Sequence, residues 1–157
     1  MKKIVVVSAV VIVVLAALGA GLWFTQQIRQ REALKNVIVS IAEIHVEEIG
    51  LTGATLNIRL RMQNPNSLTA TLDRMDYTIY GNGNNLGSGN IAQRTDIPAG
   101  GENVASTDFD LLYSGAAKVI QSDLATGNVK WRITGTAYFD TPIGTINVPF
   151  DVQQSSP

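Results

Sequence analysis

Residue types that do chemistry are sparse in this chain and poorly placed for it. The 157 residues contain one histidine, His45, and no cysteine. Thiolate metal sites, disulfides and cysteine nucleophiles are therefore excluded. A single histidine also rules out a His–His metal pair and a Ser-His-Asp triad with a spare base. His45 stands between Ile44 and Val46 and reads as the outward residue of a strand. Asp108 and Asp110 are two apart, as are Glu43, His45 and Glu47, so each set shares one strand face. Paired carboxylates hold calcium or act as acid and base when several loops converge on a shielded site. In these rows they read as the solvated side of a sheet, with Arg59, Arg61, Lys130 and Arg132 available as cross-strand partners. The glycine-rich stretch from Gly81 to Gly89 is no phosphate loop, because Leu86 stands where the third glycine belongs. Its Asn82-Gly83 pair supplies the positive φ of a tight hairpin turn instead. No catalytic residue, metal ligand or cofactor site is expected, and a hydrolase is a poor reading.

Composition narrows the partners. Hydrophobic residues make up 45% of the chain and charged residues 16%, below the roughly 25% charged content of an ordinary soluble domain. The imbalance sits at the N-terminus: Ile4 to Phe24 is a run of 21 residues without a charge. A helix needs about 20 residues to cross the hydrocarbon core, so residues 1–24 are expected to form a single-pass transmembrane anchor, with residues 4–24 in the lipid bilayer. Trp23 and Phe24 end the run where aromatic residues meet the headgroups. A cleaved signal peptide is the competing reading, with Lys2-Lys3 as its basic region and small residues near Gly19 as its cleavage site. The apolar run exceeds the usual length of such a signal, about 7–15 residues. Flanking charges leave orientation nearly balanced. The short basic tail before the run favours a cytoplasmic N-terminus and an extracytoplasmic domain. Without cysteine there is no lipoprotein anchor. The chain beyond residue 24 carries 10 basic and 13 acidic side chains, and this mildly acidic balance argues against a nucleic-acid partner.

Elements follow from periodicity. Residues 25–36 are polar helix formers, expected to continue the helix as a stalk. From Val37 the period becomes two. Leu56, Ile58, Leu60 and Met62 alternate with polar residues, as do Trp131 to Phe139, Ala105 to Leu111 and Ile146 to Val152. Turn residues separate these rows at Asn64–Ser67, Gly81–Asn84, Pro98–Gly101 and Asp140–Gly144. Seven strands are expected, over about 37–49, 54–63, 70–80, 86–95, 103–113, 129–139 and 144–152, and such a series reads as a β-sandwich. Between the fifth and sixth, Ser114 to Gly127 predicts one short amphipathic helix, capped by Ser114, striped by Ala116, Ile120 and Leu124, and closed by Gly127. Residues 153–157 are expected to be a disordered tail.

Asn64-Pro65-Asn66, the run Leu72 to Gly83, Leu86-Gly87-Ser88-Gly89, Ile97 to Gly101 and Gly135 to Gly144 together resemble the late embryogenesis abundant type 2 family, also called the WHy (water stress and hypersensitive response) domain. The resemblance covers about residues 37–152. It implies an all-β, seven-stranded sandwich of immunoglobulin or fibronectin III type with one helix, preceded here by the anchor. It also implies a non-enzymatic role in desiccation stress. The motif residues Asn64, Pro65, Asn66, Gly87, Gly89, Pro98, Gly100, Asp140, Pro142 and Gly144 are then structural, Pro65 ending a strand and Asn66 tolerating the turn. Two functions stay open: protection of envelope components at the membrane, or a tethered binding module for a partner protein or a lipid acyl chain. For the second, the helix would be the lid and the Gly135/Ala137 side would leave the room.

Overall fold

A computed structural model describes Gly21, Trp23, Thr25, residues 37–141 and residues 144–154. Apart from Gly21, Trp23 and Thr25, the expected membrane run and the expected stalk lie outside these residues. Among the described residues no helix is long and apolar enough to cross a membrane.

The alternating rows become eight strands in two sheets. β1 (Ile38–Ile49), β2 (Gly53–Gln63) and β6 (Glu102–Leu112) form one sheet in the order β1-β2-β6. The other has the order β4-β3-β7-β8, from β3 (Ala70–Gly81), β4 (Asn84–Ile91), β7 (Trp131–Thr141) and β8 (Gly144–Gln154). β5 (Thr95–Ile97) pairs with β3 beside this path. All pairings are antiparallel. Strand β2 shows why the sheets face each other: Leu56, Ile58, Leu60 and Met62 are fully buried while Arg59 and Arg61 remain in water. Leu72, Met75, Ile79, Ile133, Ala137 and Phe139 supply the opposite wall of the same core.

Three features depart from the expectation of seven strands. The span 86–95 is two strands rather than one, since β3 is long enough to take β4 along Met75–Gly81 and β5 along Ala70–Leu72. A bulge in β3 between Leu72 and Arg74 inserts one residue, so Leu72 and Met75, three apart, both point inward. The final strand runs to Gln154, two residues into the expected tail. Pro149 is tolerated there because β8 is a sheet edge, where its missing N–H removes no ladder bond.

The predicted single helix is two pieces: a 3-10 turn over Gly115–Ile120, then α1 over Gln121–Thr126. Ser114 is extended and makes no side-chain cap, and Gly115 enters the turn at a φ of 55°. Ile120 and Leu124 are buried, and Gly127 closes α1 in the left-handed region, as the sequence requires. The side chain of Ala116 lies outside the described residues. Asn82 and Gly83, at φ 50° and 82°, make the two-residue hairpin turn between β3 and β4. Asn82 also ties that turn to its surroundings, donating from Nδ2 to Asp123 (2.8 Å) and accepting from the Lys130 backbone (2.9 Å).

Candidate functional site

Most of the described motif residues lie at one end of the sandwich, where the chain leaves β2. Asn64 follows Met62 in the inward phase of that strand and is only 1% exposed. A buried primary amide must place two N–H donors and one carbonyl acceptor. Asn64 Nδ2 donates to the carbonyls of Leu68 (2.7 Å), Ile97 (3.1 Å) and Pro98 (3.2 Å), so one hydrogen is shared. Its Oδ1 accepts from the backbone N–H of Asn66 (3.2 Å) and from Asn66 Nδ2 (2.9 Å). Backbone bonds complete the knot, Asn64 N–H to the Gly101 carbonyl and Gly100 N–H to the Asn66 carbonyl, each 2.9 Å. Gly100, at φ 66°, lets the second loop turn tightly, and Gly101 N–H bonds back to Pro98 at 3.0 Å. Pro65 and Pro98 are exposed at the rim.

This arrangement reassigns the motif. Asn66 is held by its bonds to Asn64 and does not use the left-handed region: Asn82 is the one non-glycine residue with positive φ among the described residues. Asn64 carries the structure. The signal was available in the sequence, since 56, 58, 60 and 62 continue by twos to 64.

Asp140 reaches the neighbouring loop by pairing with Arg94, and Arg94 also lies 4.0 Å from Asp73. The hydrogen bond to Asp140 raises the pKa of the Arg94 guanidinium above its ordinary value. Arg94 was not legible as a motif member, because its partners are remote in sequence. Gly144 pairs with Thr141 at the β7–β8 turn, and Pro142 lies outside the described residues.

Gly87 and Gly89 are elsewhere, on β4, and serve packing. A Cβ on Gly87 would stand 2.8 Å from the ring of Phe109, and one on Gly89 would stand 2.5 Å from the Tyr77 hydroxyl. The space these glycines leave is taken by Tyr77 and Phe109, whose rings lie 6.4 Å apart. Burial raises the Tyr77 pKa, partly offset by its hydrogen bond with Thr107. The room expected beside Gly135 and Ala137 is filled as well. Ala137 is fully buried, and a Cβ on Gly135 would meet the Asp76 carbonyl at 2.2 Å and the Phe150 ring at 2.7 Å. The expected acyl-chain space on that side is therefore absent, occupied by Phe150.

Outer faces are polar and paired much as expected. Arg59 meets Glu43 at 2.9 Å, Arg61 meets Glu102 at 3.9 Å, and Arg132 clamps Asp151 through two bonds of 2.8 and 2.5 Å. The hydrogen bonds from Arg132 hold the Asp151 carboxyl below the usual carboxylate range. His45 is exposed. Among the described residues no three His, Cys, Asp or Glu side chains gather as a metal site.

A family model described as late embryogenesis abundant protein (LEA_2) matches residues 59–154, from the middle of β2 to the end of β8. The chain belongs to the LEA_2 family. Its matched segment contains the Asn64 knot, the glycine–aromatic seam and the Arg94–Asp140 pair. A protein from Arabidopsis thaliana solved in solution superposes with a TM-score of 0.61 at 14% identity, covering 75% of this chain and 79% of that one. A solution structure described as a late embryogenesis abundant (LEA) protein gives 0.55 at 13% identity, over 88% and 84%. At these identities the likeness is one of fold. No curated protein matches the chain. Membership of the LEA_2 family suggests a protein related to water stress.

Proposed function

We propose that this LEA_2 protein is a non-enzymatic, WHy-type stress protein that holds an immunoglobulin-like sandwich just outside a membrane and stabilises envelope components when water is lost. The observation that carries this reading is the family match across residues 59–154, joined to the uncharged run Ile4–Phe24 that precedes the domain. A folded domain suits the role because its surface is already ordered before a client is met, and its core here is continuous between the sheets. Chain direction supports an arrangement at the bilayer. Ile38 is paired with Gln63, one residue before Asn64, so a helix ahead of Val37 would bring the Asn64 knot to the membrane side. Ile38 and Leu68, 53% and 41% exposed, lie at that end.

The test is survival of the host after drying or osmotic upshift, comparing the intact gene, its deletion and a form lacking residues 1–24. Lower survival on deletion, restored by the intact gene and not by the anchorless form, is the expected result. Unchanged survival on deletion would remove the stress role.

A further inference from the structure

Among the described residues β1, β4, β6 and β8 end the two sheets, and three of these edges are blunted. β1 bulges at Ala42 and Glu47, β4 bulges at Leu86, and β8 contains Pro149. Bulges and prolines keep a sheet edge from recruiting another strand. β6 has neither, and it pairs with β2 in one unbroken register from Glu102 to Leu112. Bonds at its two ends fix which way its backbone turns. The Gly101 carbonyl takes the Asn64 N–H and the Tyr113 N–H reaches the Thr52 carbonyl, both at 2.9 Å and both continuing that register. The odd-numbered residues therefore bond to β2, and the even-numbered ones turn their N–H and C=O groups to the open edge. Beside β5 this edge is closed. Asn103 Nδ2 donates to the Asp96 carbonyl (2.9 Å) and Asn103 Oδ1 takes the Val104 N–H (2.8 Å). Ser106, Asp108 and Asp110 follow, all of them exposed.

We infer that this edge binds an extended segment of another protein, with basic side chains at alternate positions around an apolar one, by adding it to the sheet as a further antiparallel strand. Backbone groups supply the affinity, since Ser106, Asp108 and Asp110 face outward along the edge. Side chains supply the choice of partner. Asp108 and Asp110 lie on the solvent face about 7 Å apart along the strand, and among the described residues neither meets a cation. Asn57 Nδ2 (2.7 Å) and Thr55 Oγ1 (3.1 Å) each hold one oxygen of these carboxylates, which orients them without neutralising them. Residues directly opposite on an added strand stand close enough to pair, so lysine or arginine fits there. The residue between those two turns to the inner face beside Phe109, which is half-buried, and an apolar side chain fits that place. A second copy of this chain fits worse, because antiparallel pairing of two such edges about Asp108 sets that carboxylate against itself. The inference stands apart from the stress-protection reading and does not depend on the anchor.

The experiment follows amide hydrogen exchange in the full chain, held in lipid nanodiscs and labelled with ¹⁵N at aspartate and phenylalanine. Asp108→Asn and Asp110→Asn assign the two edge resonances. In the free chain the Asp108 and Asp110 amides should exchange faster than the Phe109 amide, which bonds to β2. The probe is a short capped peptide of alternating lysine and valine. It should slow exchange at Asp108 and Asp110 and leave Phe109 unchanged. N-methylation of its lysines, whose N–H groups would face β6, should abolish the effect, whereas N-methylation of its valines should not. Replacing Asp108 and Asp110 together by Asn should weaken binding about tenfold. Asp108→Pro, which removes an edge N–H and leaves the β2 ladder intact, should abolish it. Equal exchange at Asp108 and Phe109 in the free chain, no slowing at millimolar peptide, tolerance of lysine N-methylation, or unchanged affinity in the double Asn variant would overturn the assignment. Slowing that grows with protein concentration in the absence of peptide would overturn it too, by making a second copy the occupant.

Discussion

At one end of the sandwich the buried side chain of Asn64 has partners for its nitrogen and its oxygen alike, five bonds drawn from two chain segments. At the other end Gln154 Oε1 and the Tyr113 hydroxyl are buried and have no partner among the described residues. Both ends bury an amide, so residue type does not explain the difference. What differs is the supply of backbone groups. The loops after β2 and β5 present carbonyls that are no longer committed to a ladder, and a planar amide can collect several of them. The helical end offers chiefly side chains of Ile, Val and Leu, which have no donor, with the Trp131 indole as the exception. A satisfied network fixes one geometry, whereas an unsatisfied buried acceptor carries an uncompensated desolvation cost.

The comparison breaks first at Asn64. Asn64→Ala removes every side-chain bond of the knot and leaves the Leu68, Ile97 and Pro98 carbonyls without that donor, so the urea midpoint should fall by an amount equivalent to ~3–5 kcal/mol. Asn64→Asp tests the sign of the demand. A carboxylate facing the Leu68, Ile97 and Pro98 carbonyls is disfavoured, so its folded-state pKa lies above the unfolded one. This variant should therefore be destabilised at neutral pH and recover as pH falls, measured by urea unfolding from pH 7 to pH 4.

Gly135→Ala comes next. Its new methyl meets the Asp76 backbone carbonyl as well as the Phe150 ring, and backbone cannot rotate away. A loss near the top of the ~1–3 kcal/mol range for overpacking is expected, read from thermal unfolding. The matching change at the opposite end is Gln154→Leu. It removes an acceptor that has no partner, so stability should stay within ~1 kcal/mol of the native chain or rise. A loss as large as that of Asn64→Ala would show that the two ends are alike after all.

The smallest effect belongs to the outer face. Hydrogen bonds from Arg132 depress the Asp151 pKa in the folded state. Its contribution is therefore present above the unfolded-state pKa and is lost as pH falls through the lower folded value. Because the pair is solvent-exposed, Asp151→Asn should do no more than flatten the acid limb of the stability curve, and added salt should do much the same to the native chain.

How much of this was legible follows residue by residue. Leu56 to Met62 announced a half-buried strand, Asn82-Gly83 announced its hairpin, and Gly127 announced the end of α1, because each depends on backbone geometry within a few residues. Gly87 and Gly89 were recognisable as motif, yet the sequence did not say that Phe109 and Tyr77 occupy their space, since those contacts come from β6 and β3. The bulge at Asp73 shifts phase within an otherwise regular row, and it became visible only in the pairing of β3 with β7.

By itself, then, the sequence determined a β-rich domain behind a long uncharged segment, the placement of most strands and turns, and the LEA_2 resemblance, because alternation and turn chemistry are local properties. Tertiary structure decided that Asn64 is the hub of its motif, that Phe150 fills the space beside Gly135, and that β6 lies at the edge of its sheet. Each of those outcomes depends on which atoms from distant segments arrive at the same place, and close packing settles that only when the whole chain is folded.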